Sequence, residues 1–431
     1  MNLSRRGLYV ISMVIVLTII GTWTTAAWVT MLAQYGAVLL VLLGFYEWLD
    51  SRRELEKLEL TLPQNLTLGN GASCQVRLDN GRHRVAQFEL AVQVPTSVRL
   101  SPAEFLMRVP ARAVGCQVLS VVGINLGEVA ISQARVRVEG RFGLAHWSKT
   151  LFLDSVSKVI PDVLRGTLAL PGQTRGGEVG QLKQGAGGEF LSLRPYAIGD
   201  PIRAIDWKAT ARAGEPIVRQ FSQDQHLEIM VVIDAGRSAN VRVGPLTRLG
   251  QFTNVACRLA EMAVGADDRV GLMVFADQVI YNQPPARGLE SLQRFRTALA
   301  ELRVGAVESN PMVAIAPLLA QLRQRTLVVL LTELADADHS GLIKSVALLR
   351  PRHLPLIASV RDAGVDDLVD QPGDSWLGPY LSVAASDSLE REAQTLADLD
   401  QLGCFAVNAT PETLDQAVLG RYQFLRQRRL V

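Results

Sequence analysis

The chain has 431 residues, which exceeds one ordinary domain, and its apolar fraction of 48% is sufficient for two hydrophobic cores. The formal net charge is +2, with basic and acidic residues interspersed, so the chain lacks the large basic field that duplex nucleic acid requires. We therefore exclude nucleic acid as an expected partner. The cysteines form no Cys-x-x-Cys pair, which favours buried thiols in a reducing compartment over a disulfide framework.

The N-terminal residues 1–58 predict a transmembrane helical hairpin with a juxtamembrane helix. Residues 7–46 contain no charged side chain, and at about 1.5 Å per residue they suffice for two crossings of a hydrocarbon core about 30 Å thick. Arginines flank the run on both sides, so the positive-inside rule places both ends in the cytoplasm. The sequence thus predicts a two-pass protein of the inner membrane with a cytoplasmic soluble body. A cleaved signal peptide ending near Ala26 is the competing interpretation.

Residues 59–155 predict a small β-sandwich-like domain. Apolar residues alternate with polar ones in short runs, and Asn80-Gly81, Pro95 and Pro102 mark turns between them. No cluster of reactive side chains accompanies these runs. This absence favours a rigid spacer, with a docking module as the alternative.

Residues 156–225 form a predicted linker followed by a charge-dense segment. Residues 172–188 are rich in Gly and Gln, which indicates a flexible boundary, and they lack the Gly-Lys-Ser/Thr element of a nucleotide-binding loop. The charge-dense segment, residues 188–221, reads GEFLSLRPYAIGDPIRAIDWKATARAGEPIVRQF. Asp200 followed by Pro201 predicts the start of a helix there. The alternating residues after Gly214 predict a strand that pairs with the strand before Asp234.

Residues 226–431 predict a doubly wound α/β domain. Continuous apolar runs are typical of strands buried on both faces, and here they alternate with helical patterns. The predicted strands are 227–234, 269–276, 326–333, 354–360 and 404–408, and the predicted helices are 247–264, 289–302, 311–323, 339–349, 388–401 and one from Thr410. Ligands of such domains bind at the C-terminal ends of the strands.

The charge-dense segment resembles the signature of a bacterial family, the domain of unknown function 58 family. The matching residues are Leu193, Arg194, Tyr196, Gly199, Asp200, Arg203, Ile205, Asp206, Trp207, Lys208, Ala211, Arg212, Val218 and Arg219. The predicted layout also fits the family, and Arg141-Phe142-Gly143-Leu144 resembles its PFGL turn without the proline. The resemblance implies a von Willebrand factor A-like domain. It also implies a role as an adaptor or chaperone component beside a MoxR-type AAA+ ATPase.

We predict that the signature residues contact the ATPase or a client protein, because Trp and Arg are enriched at binding hot spots. The predicted contact residues are Arg194, Asp200, Arg203, Asp206, Trp207, Lys208 and Arg212. In the alternative interpretation, the charged members of this set form intrachain ion pairs that clamp the segment onto the α/β domain, and Trp207 belongs to the core.

The resemblance to A-like domains implies a metal ion-dependent adhesion site, in which hard oxygen ligands hold Mg²⁺. The corresponding residues are Asp234, Ser238, Asn310 and Glu333, and they form a degenerate set. Gly236 supplies no side-chain oxygen, Ser309 or Asn310 stands where a Thr is usual, and Glu333 replaces an Asp. The alternative is that Asp234 and Ser238 cap the loop and helix that follow.

The sequence motifs predict a protein that is not an enzyme. The chain contains no His-Glu-x-x-His pair, no Gly-x-Ser-x-Gly elbow and no dinucleotide fingerprint. One enzymatic hypothesis survives, a metal-dependent phosphoester hydrolase that uses Asp234, Glu333, Asp336 and a water. The favoured prediction is a membrane-anchored adaptor or scaffold with assembly, chaperone-like or envelope functions and an unknown protein client.

Overall fold

The computed structural model describes residues 2–24, 27–51, 56–162, 184–185, 189–198, 200, 202–222, 226–335, 339–370 and 376–428. These residues form a mixed α/β structure with several sheets. Most of the glycine-rich run and Asp336 lie outside the described residues.

The N-terminal region contains two helices after a short strand. The elements are β1 (Asn2–Leu3), α1 (Arg5–Thr24) and α2 (Ala27–Ser51). Among the residues that the structure describes, however, no helix is sufficiently long and apolar to cross a membrane. This finding overturns the predicted transmembrane hairpin and the two-pass inner-membrane location. The prediction rested on the absence of charge over residues 7–46, which is a weaker condition than a helix that is both long and apolar throughout.

Two β-sheets follow the helices and enclose one hydrophobic core. The strands are β2 (Glu56–Thr61), β3 (Asn65–Thr67), β4 (Gly71–Asn80), β5 (Ala86–Gln93), β6 (Val98–Ser101), β7 (Glu104–Val109), β8 (Val114–Gly123), β9 (Gly127–Glu139) and β10 (Ala145–Ile160). One sheet has the order β1-β10-β9-β5-β7 with β3 against β10, and the other has the order β2-β4-β8-β6. Inward residues of both sheets, such as Leu78 and Phe88, are buried together, as the period-two pattern predicts.

The charge-dense segment and the short strand before it, together called the signature segment (the described residues of 184–222), fold into a small sheet with one helix. Its elements are β11 (Gln184–Gly185), β12 (Glu189–Pro195), a 3₁₀ turn (Ile202–Ala204), α3 (Trp207–Ala213) and β13 (Ile217–Ser222). β13 pairs antiparallel with β11 and β12, and not with the strand before Asp234. The sequence interpretation missed β12, which offers β13 an antiparallel partner within the same segment.

The C-terminal region is built on a six-stranded sheet with the order β18-β17-β14-β19-β20-β21. The strands of this region are β14 (Glu228–Asp234), β15 (Arg242–Val243), β16 (Leu246–Thr247), β17 (Arg269–Phe275), β18 (Val279–Ala286), β19 (Leu327–Leu331), β20 (Leu354–Val360) and β21 (Phe405–Ala409). The helices are α4 (Arg248–Gly265), α5 (Gly288–Glu301), α6 (Pro311–Gln321), α7 (His339–Leu349), α8 (Ala363–Asp370), α9 (Gly378–Gln401) and α10 (Leu414–Arg428).

Neighbouring strands of the six-stranded sheet are parallel except for β17 and β18. Residues of α4, α5 and α10 share a core with one face, and residues of α6, α7 and α9 share a core with the other. The sequence interpretation missed β18 because Pro284 and Pro285 argue against a strand. Proline is tolerated here because β18 lies at the edge of the sheet.

The sandwich and the C-terminal region are packed together directly. The β15–β16 hairpin places Leu246 in the buried core of the sandwich. At the end of the sandwich, the Asp162 N–H donates to Asn254 Oδ1 of α4 at 2.8 Å. The Arg258 guanidinium, also on α4, pairs with both Asp162 and Asp415. The sandwich therefore rests on α4. The first residue of this helix, Arg248, contacts the ends of the loops after β14 and β19, and the space between these loops is called the Asp234 crevice below.

Candidate functional site

Asp234 is buried at the C-terminal end of the central strand β14. Its Oδ1 accepts the N–H of Gly236 at 2.9 Å, and its Oδ2 accepts the hydroxyls of Ser309 and Thr332, both at 2.8 Å. Ser309 can approach because Gly236 has no side chain, since a Cβ at that position would lie 2.8 Å from the Cβ of Ser309. Protein donors therefore surround the Asp234 carboxylate. Sequence reasoning missed Thr332, which follows a buried strand without any motif.

Arg248 brings a positive charge into the same crevice. It is the first residue of α4, and its side chain is only 8% exposed. Its Nη1 donates to the carbonyl oxygen of Ser238 at 2.9 Å and to Glu333 Oε2 at 2.5 Å. Two of the predicted metal ligands, Ser238 and Glu333, are thus brought together around a guanidinium. Sequence reasoning missed Arg248 because an arginine at the start of a helix belongs to no metal motif.

Asn310, the remaining predicted ligand, serves a helix instead. Its Oδ1 accepts the N–H of Met312 at 3.1 Å and so caps α6, with Pro311 as the first helical residue. The neighbouring Ser309 is the residue that reaches Asp234. The predicted set therefore divides, with Asp234, Ser238 and Glu333 at the crevice and the Asn310 oxygen at the helix cap.

The observed contacts fit a divalent cation poorly. Mg²⁺ requires a near-octahedral set of oxygen ligands, and both Asp234 oxygens already accept hydrogen bonds from the protein. Glu333 is paired with a permanent positive charge. Within the part of the chain that the structure describes, no group of three or more His, Cys, Asp or Glu side chains is arranged to hold a metal ion. The Mg²⁺ site stays a prediction from the resemblance.

A cavity of about 190 Å³ adjoins the Arg248–Glu333 pair at the C-terminal ends of β19 and β20. Its polar lining includes Arg248, Glu333, Ser359, Asp362, Ser388 and Glu392. Burial raises the pKa of Glu392, and a hydrogen bond from the Asn408 amide opposes that shift. Carboxylates outnumber cations in this lining.

The first ion pair of the signature joins Arg194 to Asp200 within the segment. The two Nη atoms of Arg194 donate to the two Asp200 oxygens at 2.7 and 2.6 Å, and Asp200 also accepts the Ala197 N–H at 2.9 Å. The hydrogen bonds from Arg194 hold the pKa of Asp200 below its ordinary value. Asp200 therefore does not cap a helix, which corrects the prediction, because its carboxylate is engaged by this bidentate pair.

The second ion pair joins Asp206 to Arg219. Asp206 is the true helix cap, since its Oδ1 accepts the N–H groups of Lys208 and Ala209 at 3.0 Å. Its Oδ2 accepts Arg219 Nε at 2.8 Å, and this bond lowers the pKa of Asp206 to about 2. Both pairs connect elements of the signature segment to each other. The alternative interpretation expected such ion pairs to clamp the segment onto the α/β domain, but neither of these two pairs reaches the six-stranded sheet.

Large apolar side chains of the signature segment are exposed to solvent. Trp207 is 67% exposed, and Ile198 and Ile202 are more exposed still. The interpretation of Trp207 as a core residue is therefore wrong. Lys208 and Arg212 are also exposed, while the side chain of Arg203 lies outside the described residues.

Comparisons with known proteins identify similar proteins but name no activity. The family model described as "Protein of unknown function DUF58" matches residues 192–368. Uncharacterized proteins of Mycobacterium tuberculosis and Mycobacterium bovis are each 26% identical over 235 residues, which cover 52% of this chain and 73% of theirs. A conserved hypothetical protein BatB from Bacteroides thetaiotaomicron aligns with 46% of this chain and 99% of its own, at 12% identity and a TM-score of 0.31.

Proposed function

We propose, on the premise that residues 192–368 belong to the DUF58 family, that the protein is a non-enzymatic adaptor that docks a MoxR-type AAA+ ATPase through its signature segment. The family match itself names no partner. The choice of an ATPase comes from the resemblance of the signature, and the choice of surface comes from the geometry of the segment.

Three exposed apolar side chains within ten residues of each other in sequence, Ile198, Ile202 and Trp207, are the observation that carries this proposal, and they are called the exposed apolar cluster below. A large exposed Trp flanked by aliphatic side chains is typical of a protein-binding surface, because exposing such groups to water is unfavourable unless a partner covers them. Scattered single apolar residues would need no explanation. Here the three lie on one short segment between β12 and the first turn of α3.

The two internal ion pairs give this cluster a fixed support. Arg194–Asp200 closes the turn that carries Ile198, and Asp206–Arg219 ties the start of α3, beside Trp207, to β13. A surface that is ordered before binding loses less conformational entropy when a partner docks. In this proposal the paired charges of the signature support the surface, and Trp207 contacts the partner.

The charge around Trp207 indicates the character of the partner surface. Lys208 and Arg212 are four residues apart on α3, so they lie on one face of the helix, and both are exposed. Rim charges of this kind favour association with a surface of opposite sign. We expect the ATPase to present an apolar pocket bordered by carboxylates.

The hydrolase alternative has no observation in its favour. It requires a metal held by Asp234 and Glu333, but Asp234 accepts hydrogen bonds from protein donors and Glu333 pairs with Arg248. Its third residue, Asp336, lies outside the described residues. We therefore propose the adaptor alone.

The decisive experiment measures the affinity of the purified full-length chain for the MoxR-type ATPase of the same organism. We expect Trp207→Ala to weaken binding at least about tenfold, equivalent to about 1.4 kcal/mol, as truncation of a hot-spot residue does. Trp376→Ala is the matched control, because Trp376 is 80% exposed but lies before α9. Equal affinity for all three proteins would move the contact away from the signature, and no binding at all would contradict the adaptor proposal.

A further inference from the structure

We propose that the Arg248 guanidinium is the built-in cation of the Asp234 crevice, and that it replaces the divalent metal that an A-like domain would hold there. This inference does not depend on the proposed ATPase. It rests on three independent features, which are the contacts of Arg248, the closure of the loop beside Asp234 and the anchoring of Arg248 from the sandwich.

Arg248 contacts two of the four residues that were predicted to hold a metal, Glu333 through its carboxylate and Ser238 through its backbone carbonyl. It donates to Glu333 at 2.5 Å, and its side chain is only 8% exposed to solvent. The same Nη1 also binds the carbonyl oxygen of Ser238, in the loop after β14, at 2.9 Å. One positive charge thus holds the Glu333 carboxylate, which follows β19, and the Ser238 carbonyl oxygen, which follows β14. An arginine is always protonated, so this charge does not depend on ion concentration.

The loop beside Asp234 is held by two backbone hydrogen bonds. The Gly305 N–H donates to the Ala235 carbonyl at 2.7 Å, and the Arg237 N–H donates to the Val307 carbonyl at 2.8 Å. These bonds seat Ser309 against Asp234 in the space that Gly236 leaves open. A metal bound to Asp234 Oδ2 would have to displace the hydrogen bonds that the hydroxyls of Ser309 and Thr332 donate to that oxygen.

The position of Arg248 is set from outside the crevice. Its N–H donates to the Val241 carbonyl at 2.8 Å, and the preceding Thr247 caps α4 by accepting the Gly250 N–H at 3.2 Å. Leu246, two residues before Arg248, is buried in the core of the sandwich. The guanidinium is therefore held by a short, well-anchored stretch and is not a mobile surface group.

The first test asks whether the wild-type full-length chain binds a metal at all. After treatment with a chelator, we expect Mn²⁺ at about 1 mM to leave the thermal midpoint unchanged and to show no bound fraction by electron paramagnetic resonance, because binding to the folded state would raise stability by mass action. Bound Mn²⁺ that Asp234→Asn removes would overturn the proposal.

The second test asks whether Arg248 supplies the missing charge. We expect Arg248→Met to raise the unfolding equilibrium constant by on the order of tenfold or more, because the part-buried Glu333 loses the guanidinium that it pairs with, and Arg248→Lys to retain part of the stability. Adding Glu333→Gln to Arg248→Met should recover most of the loss. If Arg248→Met alone does not fold, the stability of the double variant still tests the proposal, because it removes both charges of the Arg248–Glu333 pair. Additive effects of the two substitutions would overturn the proposal.

Discussion

At the scale of single residues, the signature is a set of side chains with distinct physical tasks. Asp206 illustrates this, because one carboxylate caps α3 with one oxygen and binds Arg219 with the other. The donors stabilise the ionised form, so the pKa of Asp206 falls from 3.8 to about 2. A depressed pKa in the folded state means that the ionised carboxylate favours the folded segment.

We predict a specific pH dependence for α3. The stabilisation by Asp206 should be complete above its unfolded pKa of 3.8 and should be lost as the pH falls through the folded value of about 2. Amide hydrogen exchange of α3 should therefore be faster in Asp206→Asn than in wild type above that window. The two proteins should converge at its acidic end. A difference that did not vary with pH would indicate that the carboxylate charge is not responsible.

At the scale of secondary-structure elements, α2 is joined to the sandwich by one buried carboxylate. Glu47 is buried near the end of α2, and its Oε1 accepts the N–H of Phe142 at 2.6 Å and the N–H of Leu144 at 3.5 Å. The turn between β9 and β10, which resembles a family turn in sequence, is thus the point where the helix docks. Arg82 adds a salt bridge to Asp50 of α2 at 2.9 Å.

We predict that this docking point requires glycine at position 140. A Cβ there would overlap the carboxylate of Glu47, so Gly140→Ala should displace this buried group and cost about 1–3 kcal/mol of unfolding free energy. Chemical denaturation measures this cost. Gly420→Ala is the matched control, because Gly420 lies in α10 with no neighbour within 4 Å of an added Cβ, and there alanine should be neutral or slightly stabilising. Equal stability of the two variants would contradict the docking role of Glu47.

At the scale of the whole molecule, the sandwich and the α/β region are joined, because a side chain of the α/β region is buried in the core of the sandwich. Leu246 belongs by sequence to the α/β region but is buried with Leu68 and Leu66 of the sandwich. The Arg258 guanidinium contacts Asp162 after β10 and Asp415 at the start of α10. The sandwich was predicted to be a rigid spacer, which stays a prediction, and these contacts join its end to α4.

We predict that Leu246→Ala destabilises both regions together. Removal of a buried leucine side chain should cost about 2–5 kcal/mol, and the loss should appear in probes of the sandwich and of the six-stranded sheet alike. Hydrogen exchange monitored in β5 and in β14 separates the two regions. Leu289→Ala is the control, because Leu289 is exposed on α5. Loss of protection in β5 alone would show that the two regions unfold independently.

The amino-acid sequence determined the local structure and the family region well. Hydrophobic periodicity is a local property, so it located the alternating strands of the sandwich and most of the strands and helices between Glu228 and Arg428, but not β18 or α8. The ordered signature residues, from Leu193 to Arg219, lie within the part of the chain that matches the DUF58 family model, residues 192–368. The helical hairpin shows the limit of such reasoning, since a run without charge was interpreted as a membrane span and the finding on the described helices overturned it.

Only the tertiary structure decided which side chains meet. Arg194 could pair with any nearby carboxylate in the sequence, and the turn geometry selected Asp200. Arg248 and Glu333 are 85 residues apart, and they meet because the loop after β14, which Arg248 contacts at Ser238, lies beside the C-terminal end of the parallel neighbour β19. The exposure of Trp207 was likewise open, because a tryptophan in a charged segment can lie in a core or on a surface. Pairing and exposure depend on contacts that are distant in sequence, and residue spacing alone does not specify them.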